Sequence, residues 1–300
     1  MSKSALIKLL FIAILGIFMS CNGENPAKTE LDDSLEEAQN PNAGKLVQFN
    51  GRLFSIPSPV QISALIKGAN LKYNPAFMNE ISKQSTYTTA FKQALNLGVY
   101  GTDLGYLSMY DQLSDAAGYF AVVKVLSKEL NIMNSFSENT LKIIEKNKEN
   151  KDSLITIMSS VFRDADSYLM DGARNDIAIL ILAGGWVESA YMLTSALKEK
   201  KDQKIIERIG EQKHPLDNLI ELMRPYYNKQ SDEYDKLLEK LVDLATIFDG
   251  VEIEYTYEKS EIKPKERLTI INSSSKTTIT EYQLKSITSL LASIRADIVK

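Results

Sequence analysis

The sequence predicts an all-α protein, a multi-helical array or bundle with a small β-hairpin-like excursion near residues 251–281. Three observations carry that prediction. No proline falls between Pro75 and Pro215. A proline inside a helix costs roughly 3 kcal/mol, so so long a stretch without one is what a helical array requires. Apolar residues return every three or four positions, as in Leu154, Met158, Val161, Ala165 and Tyr168, and again in Leu284, Ile287, Leu291, Ile294 and Ile298. One segment, Val251–Glu258, alternates instead with period two.

The N-terminal stretch comes first in the chain. Lys3 and Lys8 precede an apolar run, Leu9–Met19, that closes on Ser20-Cys21. The run is short for a membrane span, which needs roughly 20 apolar residues. This order of basic, apolar and small residues is that of a secretory leader. With Cys21 as the sole cysteine at its end, it resembles the lipobox of bacterial lipoproteins. Ser20 fits that pattern, while Phe18 and Met19 depart from the aliphatic and small residues usual there. The resemblance implies cleavage before Cys21 and lipid on that cysteine. It also implies attachment to the cell envelope, at an outer membrane, by an anchor rather than a span. Residues 1–20 are then a signal peptide, 21–57 a lipid-anchored flexible acidic tether, and 58–300 a single helical domain.

The tether reading rests on turn formers from Asn22 to Gly44, on Pro57 and Pro59, and on the acids Glu30, Asp32, Asp33, Glu36 and Glu37. Such a segment has too little apolar surface to offset the entropy of ordering. An acidic stretch after the cysteine also resembles a surface-export signal in some lipoproteins of gut-type anaerobes, so a plain spacer and surface display are both open.

Within the body, Asn96–Tyr110 is predicted to be a helix with two unlike faces. At about 100° per residue, Gly98, Gly101 and Gly105 share one face. Asn96, Tyr100, Asp103 and Tyr110 lie opposite, with Tyr106 at the edge. Glycine inside a helix costs about 1 kcal/mol against alanine, so three on one stripe point to close approach of another backbone. The opposite stripe offers hydroxyls, apolar area and a carboxylate. Tyr100, Asp103, Tyr106 and Tyr110 are the candidate ligand-binding residues on that reading. The competing reading makes them packing and hydrogen-bonding residues.

Ser135 with Glu138 has capping-box spacing. The charged group Arg163, Asp164, Asp166, Asp171, Arg174 and Asp176 reads as ion pairs around a helix junction. A calcium loop starting at Asp164 would need an oxygen ligand at Tyr168, glycine at Leu169 and glutamate at Asn175, and fails on all three. Ile177–Val187 is an unbroken apolar stretch bounded by Asp176 and Glu188. It is read as a central buried helix. A buried strand turning at Gly184-Gly185 is the alternative, and it would bring an α/β fold with a phosphate loop. Trp186 is read as core.

His214-Pro215 is read as a surface residue followed by a first-turn proline, and Pro225 as that helix's end. Ser231 caps a helix expected to stop at Asp249-Gly250. Val251–Glu258 is then an extended arm, and Leu268–Ile271 with Thr277–Ile279 a short hairpin around Ser273–Ser275. Thr280 and Gln283 mark the start of the final helix by capping-box spacing.

Composition narrows the function classes. The 300 residues are 44% hydrophobic and 25% charged, ordinary for a globular chain. The formal charge of −4 becomes −6 once the leader and its two lysines are removed. An acidic exported chain is not one for nucleic acid. One cysteine excludes an internal disulfide. With His214 the sole histidine, no Cys/His zinc site can be assembled, and any Ser-His-Asp triad would have to use His214. No cofactor and no metal is expected.

The segment Leu97-Gly98-Val99-Tyr100-Gly101-Thr102-Asp103-Leu104 and the ending Ile294-Arg295-Ala296-Asp297-Ile298, with the leader and tether before them, resemble helical lipoproteins of Bacteroidota. That resemblance implies no particular activity. The expected function is a membrane-tethered binding or scaffolding module with an envelope protein as partner. The alternative is an envelope enzyme that uses Asp and Tyr side chains in a helical pocket, with Asp103 in the lead. A second inward carboxylate beside Asp103 favours the enzyme, and a solvent-facing tyrosine stripe favours binding.

Overall fold

A computed structural model describes residues 45–49, 52–56, 59–132, 174–263, 268–270 and 272–300. The leader, Cys21, Ser135, Glu138, the stripe from Leu154 to Leu169 and the charged residues from Arg163 to Asp171 lie outside these residues.

Eight α-helices dominate the described residues: α1 (Pro59–Gly68), α2 (Ala90–Met109), α3 (Leu113–Glu129), α4 (Asn175–Glu199), α5 (Gln203–Gly210), α6 (Lys213–Met223), α7 (Asp232–Asp249) and α8 (Glu281–Ile298). Side-chain caps start several of them. Thr89 Oγ1 accepts from the Lys92 N–H at 3.2 Å, and Asp202 Oδ1 from the Lys204 N–H at 2.9 Å. Ser231 Oγ accepts from the Tyr234 N–H at 3.2 Å, and α7 stops at Asp249, as the sequence predicts. Thr280 and Gln283 form a complete capping box at the start of α8. Pro215 sits in the first turn of α6, which gives way at Pro225 to a short 3-10 turn.

The architecture is built around α2 and α4, which share the most extensive packing among the described elements. Helix α3 covers α2, α1 crosses both central helices, and α8 packs on α4 and α7. Helix α4 runs unbroken through Gly184-Gly185, so the apolar stretch is a core helix and not a strand turn. Its length and hydropathy match a membrane-spanning helix, but nearly all of its apolar window is buried inside the protein. Two glycines set the α2–α4 distance. A Cβ on Gly98 would overlap the Ile181 carbonyl and lie 2.6 Å from the Gly185 nitrogen. A Cβ on Gly184 would overlap the Leu95 carbonyl. Thr102 Oγ1 closes the seam, donating to the Gly98 carbonyl at 3.1 Å and the Gly185 carbonyl at 3.3 Å.

The six strands among the described residues form three antiparallel pairs, two of which follow one another along a single ribbon. Strands β1 (Lys45–Phe49) and β2 (Arg52–Ile56) pair with Lys45 opposite Ile56. They lie within the stretch that the sequence reading gave to the tether, and β2 rests against α6. Asn50-Gly51 stands between them in the sequence, the dipeptide that two-residue hairpin turns favour most.

The second ribbon runs from Glu252 to Thr278. Strand β3 (Glu252–Thr256) pairs with β6 (Ser274–Thr278), and β4 (Glu261–Lys263) with β5 (Leu268–Ile270). Between the two ladders, the Glu258 N–H donates to Ser273 Oγ at 3.0 Å, and that hydroxyl donates back to the Glu258 carbonyl at 3.0 Å. The expected hairpin between Leu268–Ile271 and Thr277–Ile279 does not form, since β5 pairs with β4 and β6 with β3 along one ribbon. Ser274 and Ser275, expected in a turn, are strand residues paired with Thr256 and Tyr255.

The glycine seam gives a stability test. Gly98→Leu and Gly184→Leu should each lower stability by at least the ~1–3 kcal/mol of overpacking, read as melting temperature. Gly68→Ala meets open space and should stay within about 0.5 kcal/mol of the parent. Equal melting temperatures for all three chains would refute the seam.

Candidate functional site

Among the described residues, the polar stripe of α2 lines no open groove. Asn96, Tyr100, Asp103 and Tyr106 are buried, and Tyr110 is partly buried. The irregular segment from Leu71 to Tyr87 lies across them. Taken along α2, the contacts run in order. Tyr110 Oη donates to the Leu71 carbonyl at 3.0 Å, and Tyr106 Oη accepts from the Asn74 N–H at 3.0 Å. Asp103 Oδ2 accepts from the Asn79 N–H at 3.1 Å, and Tyr100 Oη donates to the Glu80 carbonyl at 2.7 Å. The four residues singled out from the sequence thus satisfy the backbone of a segment with little ladder of its own. Two 3-10 turns, Pro75–Phe77 and Ile81–Thr86, are all the regular structure that segment holds.

Asn79 is the hub of this interface. Its side-chain amide donates to Tyr87 Oη at 2.9 Å, and its carbonyl accepts from Tyr119 Oη of α3 at 2.8 Å. Asn96 Nδ2 donates to the Ile298 carbonyl at 2.8 Å, tying the last turn of α8 to α2. Rings fill the remaining space. Tyr100 meets Tyr119 edge-on with centroids 6.0 Å apart, and Tyr106 contacts Tyr110 at 4.8 Å. Burial raises the pKa of both Tyr100 and Tyr106, so their hydroxyls serve as neutral donors and acceptors.

Behind Asp103 lie two charged residues that the sequence reading did not select, Glu188 of α4 and Arg295 of α8. Arg295 grips the Glu188 carboxylate with both arms, Nε to Oε2 and Nη2 to Oε1, each at 2.8 Å. The Tyr191 ring supports the guanidinium at 4.3 Å. Glu188 is fully buried and the Arg295 side chain is 12% exposed. Burial opposes the Arg295 charge, yet the charge and hydrogen bonds of Glu188 raise its pKa further.

Asp103 completes the group, in surroundings that favour its protonated form. Burial pushes its pKa well above the ordinary aspartate value. The Glu188 charge adds to the shift, against Arg295 and the Asn79 N–H. Asp103 Oδ1 meets no hydrogen-bond partner among the described residues. Both carboxyl groups are fully buried, but Arg295 holds Glu188 with two hydrogen bonds while Asp103 has no cation bonded to it, so it is Asp103 whose surroundings favour the neutral form. The assembly is a buried carboxyl group, biased toward its neutral form, beside a carboxylate that is neutralised by arginine.

Both missed residues left a trace in the sequence. Glu188 is the one charge between Asp176 and Lys198 in an otherwise apolar helix. Arg295 follows Leu291 by four residues, within the apolar stripe of α8.

Other candidate sites are plainer. His214 is exposed, and Trp186 is core, its Nε1 donating to Gln212 Oε1 at 3.2 Å. Among the described residues, no group of three His, Cys, Asp or Glu side chains is placed to hold a metal ion. A cleft of about 630 Å³ between α2, α7 and α8 has a Phe91, Leu95 and Leu237 floor with lysines and acids mixed around its rim. The large exposed side chains gather elsewhere. Tyr255 is 66% exposed, Tyr257 73% and Ile262 70%, all on the second ribbon, and Tyr282 just beyond it is 80% exposed.

Comparison with protein-family models, curated proteins and solved structures finds no match to this chain.

The carboxyl pair makes opposite predictions for two substitutions. Asp103→Asn has nearly the shape of the neutral acid and retains an acceptor for the Asn79 N–H, so melting temperature near pH 4 should hardly move. Arg295→Met strands a buried carboxylate and should cost about 3–5 kcal/mol. The pH dependence follows from the raised Asp103 pKa. Below the usual aspartate range, near pH 4, folded and unfolded chains both hold this proton. As pH climbs toward the folded value, the unfolded chain ionises first and the Asp103 contribution is lost. The Asp103→Asn chain has no such proton, so it should gain on the parent in melting temperature between pH 4 and pH 8. A constant difference across that range would show that Asp103 is ionised in the fold.

Proposed function

We propose that the protein is a lipid-anchored binding module of the bacterial cell envelope, held at an outer membrane through Cys21 and presenting the Glu252–Thr278 ribbon to a protein partner. One observation carries the reading. The molecule has a solvent-facing tyrosine run, Tyr255, Tyr257 and Tyr282 with Ile262, and it is not the run on α2. Tyrosine supplies apolar area with a polar tip and is over-represented at protein interfaces. The leader ending at Ser20-Cys21 supports the anchor.

The alternative, an envelope enzyme working through Asp103, has the carboxyl pair in its favour. Against it, Asp103 and Glu188 are fully buried, with Asp103 Oδ2 held by the Asn79 N–H and the Glu188 carboxylate held by Arg295. The binding reading asks only for the surface already exposed.

Two measurements test the proposal. Cells fed an alkyne fatty acid should label the parent protein and leave Cys21→Ala unlabelled; equal labelling would remove lipid from that position. A photocrosslinking amino acid placed at Tyr257 should give protein adducts in intact envelopes. The same group at exposed Lys128 of α3 should give none. Absence of adducts at Tyr257, or equal adducts at both, would refute the ribbon as the docking element.

A further inference from the structure

The ribbon has two edges, and they are not equivalent. Strand β6 lies alongside α5, with Thr277 buried over Gly210 and a cleft of about 550 Å³ between the strand and the starts of α5 and α8. Among the described residues, strand β3 has β6 as its one strand neighbour, and its residues Glu252, Glu254, Tyr255 and Thr256 are exposed. Its outer edge therefore offers backbone N–H and C=O groups to solvent, a template for a further strand.

The two faces of β3 differ in chemistry, because side chains alternate along a strand. Glu252 and Glu254 share one face, with Lys276 paired beside Glu254. Ile253 and Tyr255 share the other. Ile253 packs on the core, and Tyr255 continues that face into solvent. Beyond the strand, Glu258 and Tyr257 extend the run of acids and aromatic rings.

Charge decides among occupants. A second copy added edge to edge by two-fold symmetry keeps its faces aligned with the first. It would set Glu252 and Glu254 against their own copies, and like charges across a strand pair repel. An anionic lipid surface would meet the same acids. A strand carrying lysine or arginine on one face and apolar residues on the other meets neither objection.

We propose, resting on the binding reading above, that the outer edge of β3 captures an extended basic segment of a partner protein by strand addition. Backbone hydrogen bonds hold the added strand. Its cations lie beside Glu252 and Glu254, and its apolar side chains lie beside Tyr255 and Tyr257.

The test uses the full-length protein in detergent and a capped octapeptide of alternating lysine and valine, with a peptide of four lysines followed by four valines as control. Calorimetry should show binding of the alternating peptide that weakens as salt rises. Glu254→Lys and Tyr255→Ser should each lower affinity at least tenfold. Both residues are exposed, so melting temperature should stay put. Amide exchange should slow in β3 on binding. Equal affinity for the block peptide, or unchanged exchange in β3, would reduce the effect to loose charge attraction and overturn strand addition. A doubling of molar mass that Tyr255→Ser abolishes would assign the edge to a second copy instead. Phospholipid adducts at position 257 would assign it to the membrane. No peptide binding together with protein adducts at 257 would sink strand addition and leave the binding module standing. Absence of both would sink the two together.

Discussion

The backbone contact between α2 and α4 is the constraint on which the remaining structure depends. Gly98 and Gly184 each face a carbonyl of the opposite helix with no room for a Cβ. That proximity places two long helices side by side at the centre of the molecule. It leaves α2 buried without interruption from Ala94 to Ser108. A helix enclosed on all sides is usually apolar all round, yet α2 carries Asn96, Thr102, Asp103 and Ser108 into the interior. Each of them bonds to backbone: Asn96 to Lys92 and Ile298, Thr102 to Gly98 and Gly185, Asp103 to Asn79, Ser108 to Leu104. Burial of polar groups is tolerable on that condition.

The price of the close seam appears on the far side of α2. The cover there is an irregular segment, Leu71–Tyr87, whose N–H and C=O groups need partners from outside the segment. Tyrosine hydroxyls reach such groups from a helix surface without placing charge in the interior. The one carboxyl group on the stripe, Asp103, sits where burial favours its neutral form. Its partner Glu188 is neutralised by Arg295, and the three helices α2, α4 and α8 are joined at that point. Buried ion pairs contribute little net stability, since desolvation offsets their attraction. What this one supplies is orientation: α8 can dock in the register that brings Arg295 to Glu188, and a neighbouring register strands both charges.

Much of the fold was legible because helices write their boundaries locally. Ser231 to Asp249, the Thr280–Gln283 box and the break at Pro225 are signals contained within a few residues. The two-faced character of Asn96–Tyr110 was legible too, glycines on one side and polar rings on the other. Whether the polar side meets water or an irregular backbone was not, because helical periodicity records which residues share a face and not what covers it. The partners of Asp103 lie 85 and 192 positions away, beyond any local pattern. Their only trace was charge set in apolar helix faces, at Glu188 and Arg295. In the β region the alternation of Val251–Glu258 was plain. Serines at 273–275 read as a turn, although Ser274 and Ser275 are paired strand residues, because serine's turn preference is weak beside the register imposed by Ile253 opposite Thr277.

The ribbon is anchored to this framework at its base. Gln283 caps α8 by accepting from the Thr280 N–H at 2.8 Å, and its amide donates to the Gly250 carbonyl at 2.6 Å, just before β3. One side chain therefore holds the incoming and outgoing strands together at the foot of the ribbon. Lys213 Nζ adds a second clasp, reaching the Asp249 carbonyl at 3.2 Å and the Val251 carbonyl at 3.3 Å. A two-stranded ribbon by itself is marginal in water. Here its base is buried through Ile253 and Thr277, and its exposed half projects from a fixed foot. The helix that carries Gln283 at its first turn carries Arg295 near its last. The orientation of the exposed tyrosines is thus continuous, through α8, with the buried carboxyl pair.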